Sequence, residues 1–206
     1  MESPRHHFVL LALLLPLLAG GCAALSKAPA GAPTAGVRDA TLLDPELPSL
    51  LIEIDYIAGS EPRERALRMF QERMAFYCDK PDGVEVRVDD EIPADEWEAS
   101  KQALAALARK YADERESGRA YLYIVYADRY KKYRGYSYRT GKLHRDLDFP
   151  VCAIFTSQLK PILWLTGVRQ EASVIVHETG HAFGLVTNDG HRDGGHCTNS
   201  WCLMYD

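Results

Sequence analysis

The sequence predicts an α/β domain built on a mostly parallel sheet. Short apolar or alternating runs recur at 51–57, 83–88, 120–127 and 151–159. Stretches with helical apolar spacing separate the first three of them, and another helix follows the fourth. Strands that alternate with helices fold most simply as crossover units, in which the intervening helix lets the next strand run parallel.

The chain has 206 residues, and residues 1–48 do not read as folded domain. "MESPRHHFVLLALLLPLLAGGC" carries Arg5, an apolar run from Phe8 to Leu18 and small residues before Cys22. A run this short, with these flanks, fits an export signal better than a spanning helix. Cys22 directly after "LAGG" resembles the lipobox of bacterial lipoproteins, with Ala19 where leucine is usual, and so is the expected lipidation site. Ordinary cleavage a few residues further on is the alternative, and either reading exports the protein. The expected location is the bacterial cell envelope, held by lipid at Cys22, or otherwise the periplasm or the medium. Residues 23–48 are rich in Ala, Pro, Gly and Thr without periodicity, as in a flexible linker. Residues 49–206 are enough for one domain with one core, and a monomer is expected.

"LLIEIDYI" suits a buried strand. "EPRERALRMFQERMAFYC" spaces Leu67, Phe70, Met74 and Tyr77 for one helix face, with Pro62 in the first turn. "GVEVRV" alternates as a second strand, and "ADEWEASKQALAALARKYADER" reads as one long helix with an acidic start. "AYLYIVYA" is a third strand. A Tyr-, Lys- and Arg-rich loop follows, with a short edge strand near Gly135–Tyr138 and, in His144, a surface histidine. "VCAIFTSQL" is a further strand, and the last helix runs from about Gly167 to Phe183.

Net charge is −5, and the basic residues are scattered, which removes the electrostatic footprint of a nucleic-acid binder. No internal repeat is present. Five cysteines suit an oxidising compartment. With Cys22 set aside, four cysteines allow three pairings, among which sequence alone does not choose; Cys197–Cys202 with Cys78–Cys152 is the favoured set.

The chemistry concentrates in "VIVHETGHAFG", residues 174–184. Val168, Ala172, Ile175, Thr179 and Ala182 form one mostly apolar stripe, and Val174, His177, His181 and Gly184 form another about 200° away. One side can pack on a sheet while the other offers two imidazoles to a cleft. Histidines at i and i+4 can meet one tetrahedral zinc ion, and Glu178 lies beside it as a general base and acid. Gly184 suits the left-handed turn that ends a helix.

His177, Glu178, His181 and Gly184 match the HExxHxxGxxH pattern of the metzincin zinc peptidases, but Thr187 stands where the third histidine belongs. "HCTNSWCLM", residues 196–204, resembles the archaemetzincin branch, in which the third zinc histidine opens a Cys-x4-Cys-x-Met run. That resemblance implies a nine-residue insertion, "TNDGHRDGG", before His196 as third ligand, with Met204 as the methionine of the turn below the metal. His191, and then Asp189 or Asp193, remain alternatives for the third ligand, and Met204 has a plain core role as its alternative. The resemblance also implies a twisted sheet with an antiparallel edge strand, backing helices, an active-site helix and a short irregular C-terminal subdomain. Gly135–Tyr138 is then the candidate edge for an extended peptide substrate, with a solvated loop as the alternative. The family's further Cys-x-x-Cys, which helps hold a second zinc, is not found before Asp206, which favours a Cys197–Cys202 disulfide. Tyr205 follows Met204 too closely to match the family's tyrosine ligand. The implied activity is zinc-dependent hydrolysis of peptides or proteins with one Zn²⁺. A zinc-closed binding module and hydrolysis of a non-peptide amide stand as alternatives.

Overall fold

The computed structural model describes residues 46–130, 134–138, 147–159, 164–185, 192–193, 196–200 and 202–205. Three alternating units build most of it. Strand β1 (Ser49–Ile57) leads into helix α1 (Glu64–Tyr77), β2 (Gly83–Ile92) into α2 (Lys101–Tyr111), and β3 (Arg119–Ala127) into the edge of the sheet. That edge consists of β4 (Gly135–Tyr138) and β5 (Val151–Phe155), followed by helix α3 (Trp164–Ala182). The strand order is β2-β1-β3-β5-β4, with every neighbour parallel except β4, which runs antiparallel to β5. The expected mostly parallel sheet with an antiparallel edge is what forms.

Strand alternation sorts the core into two faces. Leu50, Ile52 and Ile54 of β1 point to one face, where Phe70 and Met74 of α1 and Ile175 and Val176 of α3 cover them. Leu51 and Ile57 point to the other, where Leu104, Leu107 and Ala108 of α2 pack. Glu53 and Asp55 share that second face and are buried. Tyr121 and Tyr123 of β3 donate their hydroxyls to these carboxylates at 2.8 and 2.6 Å. Asp55 also accepts the Asp90 backbone N–H at 3.0 Å. There the register slips: Ile54 pairs with Val88 but Tyr56 with Glu91, so β2 carries one extra residue. The buried carboxylate thus satisfies a backbone donor at the bulge.

Several expected boundaries move. Residues 94–115 are not one helix: a 3₁₀ turn at Ala94–Glu96 is followed by α2, which starts where Ser100 accepts the Ala103 N–H at 3.0 Å. Ala99 has φ of 47°, which breaks any continuous helix. Pro62 lies before the N-cap Arg63 rather than in the first turn of α1. Strand β5 ends at Phe155 and a 3₁₀ turn takes Thr156–Gln158. Strand β2 runs on to Ile92, and α3 begins at Trp164, earlier than expected. The C-terminal stretch contains a two-residue pair, β6 (Arg192–Asp193) against β7 (His196–Cys197).

Among the described residues neither expected disulfide, Cys78–Cys152 or Cys197–Cys202, is formed. Cys152 instead turns its Sγ to the Glu178 carbonyl at 3.5 Å, on the α3 side of the sheet. Cys78 sits at the end of α1, where burial pushes its thiol up to about 11 and makes it unreactive.

Candidate metal centre

Helix α3 seats the site because its apolar stripe is buried as expected. Val168, Ala172, Ile175, Thr179 and Ala182 are all buried, which fixes the helix's rotation and turns His177 and His181 away from that contact. The helix ends in a left-handed glycine cap. Gly184 has φ of 73°, its N–H reaches the His181 carbonyl at 3.0 Å, and the Leu185 N–H reaches Gly180 at 2.9 Å. This two-bond closure satisfies the last carbonyls and turns the chain out of the helix just past His181.

The C-terminal strand pair brings the third imidazole. His196 lies opposite Asp193 in the ladder, and the following Cys197 N–H donates to the Met204 carbonyl at 2.8 Å. One short segment therefore carries both His196 and the turn that holds Met204. Ring nitrogens of His177, His181 and His196 lie within 4.8 Å of one another, and all three residues are half-buried. The His177 and His181 Nε2 atoms are 3.1 Å apart.

His177 Nδ1 lies 2.8 Å from the Leu203 carbonyl oxygen. A carbonyl only accepts, so Nδ1 carries the proton and Nε2 of the neutral ring keeps a lone pair toward its two neighbours. Fixing the far nitrogen of a ring by a carbonyl is how metal-ligating histidines are oriented. Two Nε2 atoms at 3.1 Å suit one shared ion held at about 2.0–2.1 Å from each nitrogen. The triad fits a divalent transition ion.

Glu178 lies between the two α3 histidines in sequence and is only 8% exposed. Burial pushes its carboxyl up from 4.5 to about 8. Two glycines shape its surroundings. A Cβ at Gly135 of β4 would come within 2.5–2.7 Å of Glu178 Cγ, Oε1 and Cδ. On α3, a Cβ at Gly180 would lie 2.5 Å from Met204 Sδ, so the methionine packs directly on helix backbone. Met204 is 3% exposed, beneath the triad's helix.

Neither glycine was singled out by sequence reading, nor was the Leu203 carbonyl. A lone glycine in a strand pattern, and one inside a helical pattern, are the available signals of close backbone approach. His191, Asp189 and His144 lie outside the described residues, as does Cys22. Asp193 is described by its backbone alone. Tyr205 is exposed. A second cluster, Glu53, Asp89 and Asp113, has ligand-like spacing. The Arg87 guanidinium occupies it, 2.6 Å from Asp113 and 3.4–3.5 Å from Asp89 and Glu53, which already balances much of its charge.

No protein-family model and no curated protein matches the chain. Among solved structures, archaemetzincin from Methanopyrus kandleri aligns with TM-score 0.53 and 17% identity, over 80% of this chain and 84% of that one. This chain has an archaemetzincin-like fold. Metalloproteinase-II from Bacteroides fragilis aligns at TM-score 0.47 and 19% identity, over 77% of this chain and 46% of that one. The archaemetzincin likeness covers most of the chain, so the resemblance read from the motif extends to the fold.

Proposed function

We propose that this chain is a zinc-dependent peptidase in which Glu178 is the general base and acid. The observation that carries the reading is the triad together with Glu178. Three imidazoles converge, and the buried carboxyl of Glu178 follows the first of them on the same helix. A purely structural zinc site, closed by four protein ligands, has no use for a carboxyl there, whereas a catalytic site needs a base beside its open position. Neutral nitrogen donors suit zinc, as they suit several late transition ions. Bound zinc supplies Lewis-acid polarisation of a carbonyl and lowers the pKa of water to about 7.

The chain's own residues supply the rest. Glu178 is one residue after His177 and three before His181 on α3, and a carboxylate withdrawn from water holds a proton more tightly than an exposed one. In the proposed reaction a Glu178 Oε atom accepts the proton of the attacking water and later returns it to the departing amide nitrogen. The β4 strand stands at the end of the sheet order, so its outer edge offers main-chain groups to an extended peptide. That arrangement supports a peptide substrate over a compact non-peptide amide.

The test is activity toward a mixed peptide pool with the zinc-loaded chain. A chelator should abolish cleavage, and Glu178→Gln should keep zinc while losing about 10²–10⁴-fold in rate. Wild-type cleavage by Glu178→Gln would refute the assignment.

We propose as well that the chain is exported and held to a membrane by lipid on Cys22, with residues 23–48 as tether. The signal-like run and the "LAGGC" sequence support this. No described helix is long and apolar enough to cross a membrane. Cys22→Ser should move the protein from the membrane fraction to the soluble fraction; an unchanged distribution would count against the lipid.

A further inference from the structure

We propose that Gly135 is a positioning residue for Glu178: the β4 backbone presses on the glutamate side chain where no Cβ fits, and so restricts its rotamers. A Cβ there would stand 2.5 Å from Cγ, 2.6 Å from Oε1 and 2.7 Å from Cδ. All three distances are shorter than real carbon contacts, so alanine and the present Glu178 conformation exclude each other. The glycine does not serve the backbone. Its φ is not in the left-handed region, unlike Gly59, Gly83, Gly118 and Gly184. Gly135 opens a four-residue edge strand, and the feature that calls for glycine there is the close approach to Glu178.

Two neighbouring strands reach Glu178, one at its backbone and one at its side chain. Cys152 of β5 donates its thiol to the Glu178 carbonyl at 3.5 Å, and Gly135 of β4 lies against the side chain. The strands are in register, with Gly135 opposite Ile154 and Ser137 opposite Cys152. Backbone laid along Cγ, Cδ and Oε1 also takes water from that side, consistent with the 8% exposure of Glu178. A general base gains most when its carboxyl is held in one productive geometry, and a displacement of about 1 Å can cost 10²-fold.

The catalytic consequence rests on the peptidase reading above; the contact does not. The experiment is a cycle of wild type, Gly135→Ala, Glu178→Ala and the double variant, in the full chain. In the wild-type background Gly135→Ala should lower kcat about 10–100-fold, with KM and zinc affinity (by chelator competition) within about threefold. In urea unfolding, Gly135→Ala should lower the midpoint when Glu178 is present. It should leave the midpoint unchanged or raise it in the Glu178→Ala background, where the methyl fills vacated volume. Should Gly135→Ala alone fail to fold, the double variant is expected to fold. Unchanged kcat, lost zinc affinity, equal destabilisation in both backgrounds or a double variant that does not fold would each overturn the proposal. A wild type that binds zinc but cleaves no peptide would remove the peptidase reading, and the unfolding cycle would then decide the contact alone.

Discussion

At the residue scale, one of the two closest approaches in the site is a sulfur on a glycine. Gly180→Ala should gain about 1 kcal/mol of helix propensity, yet its Cβ would meet Met204 Sδ at 2.5 Å. Overpacking typically costs about 1–3 kcal/mol, so the net change should be destabilising. The strain runs into the metal centre through one covalent step. Met204 is adjacent to Leu203, whose carbonyl holds His177 Nδ1 at 2.8 Å. Losing such an orienting partner usually costs about 10–100-fold in metal affinity, and Gly180→Ala should weaken zinc binding within that range. Chelator competition measures it; unchanged affinity would mean the turn does not orient His177. Glu178 gives a pH prediction for the zinc-free protein. Its folded value of about 8 exceeds the 4.5 of the unfolded chain, so its stabilising contribution is full below pH 4.5 and is lost as pH rises through 8. Zinc-free Glu178→Gln should therefore gain stability relative to wild type between pH 5 and pH 8, by urea midpoints at both.

At the scale of elements, the period of the hydrophobic pattern made β1, β2, β3, β5 and the three helices legible, while their ends answered to single residues and the two-residue strands β6 and β7 carried no such pattern. The Ala-, Glu- and Lys-rich composition of 94–115 suits one helix, but Ala99 at φ 47° and the Ser100 cap split it. The start of α1 illustrates the same limit. Its N-cap, Arg63, makes no side-chain cap; the Arg63 N–H and guanidinium instead go to Glu171 of α3 at 2.9 and 2.7 Å. No local pattern discloses a cap supplied from 108 residues away. Glu171 is 2% exposed, and its desolvation raises its pKa despite Arg63. Glu171→Ala should lose a charged hydrogen bond to backbone, about 1.5–3 kcal/mol, and loosen α3 against α1; a midpoint within error of wild type would contradict this. The site divides in the same way. His177 and His181 follow from spacing on one helix, whereas His196 was implied by the resemblance of "HCTNSWCLM" to the archaemetzincin run. Gly135 and Gly180 were not legible, because each is explained by a contact with a residue far along the chain.

At the scale of the whole molecule, the centre joins parts that meet only when the domain is folded. Helix α3 supplies two imidazoles, β7 the third, and β4 the cover over Glu178. An ion that binds only this assembly must stabilise it, by about 2.7 kcal/mol when zinc is at 100 times its Kd. Wild type should show that increment between zinc-free and zinc-loaded unfolding curves. His196→Ala should leave the zinc-free curve nearly unchanged, since the residue is half-buried and lies in a two-residue strand. A hundredfold loss of affinity at the same zinc concentration would then shrink the increment to a few tenths of a kcal/mol. His191→Ala should keep the full increment. The reverse pattern, with zinc stabilisation lost in His191→Ala and kept in His196→Ala, would move the third ligand into the 187–195 insertion and separate the metal from the turn that carries Met204.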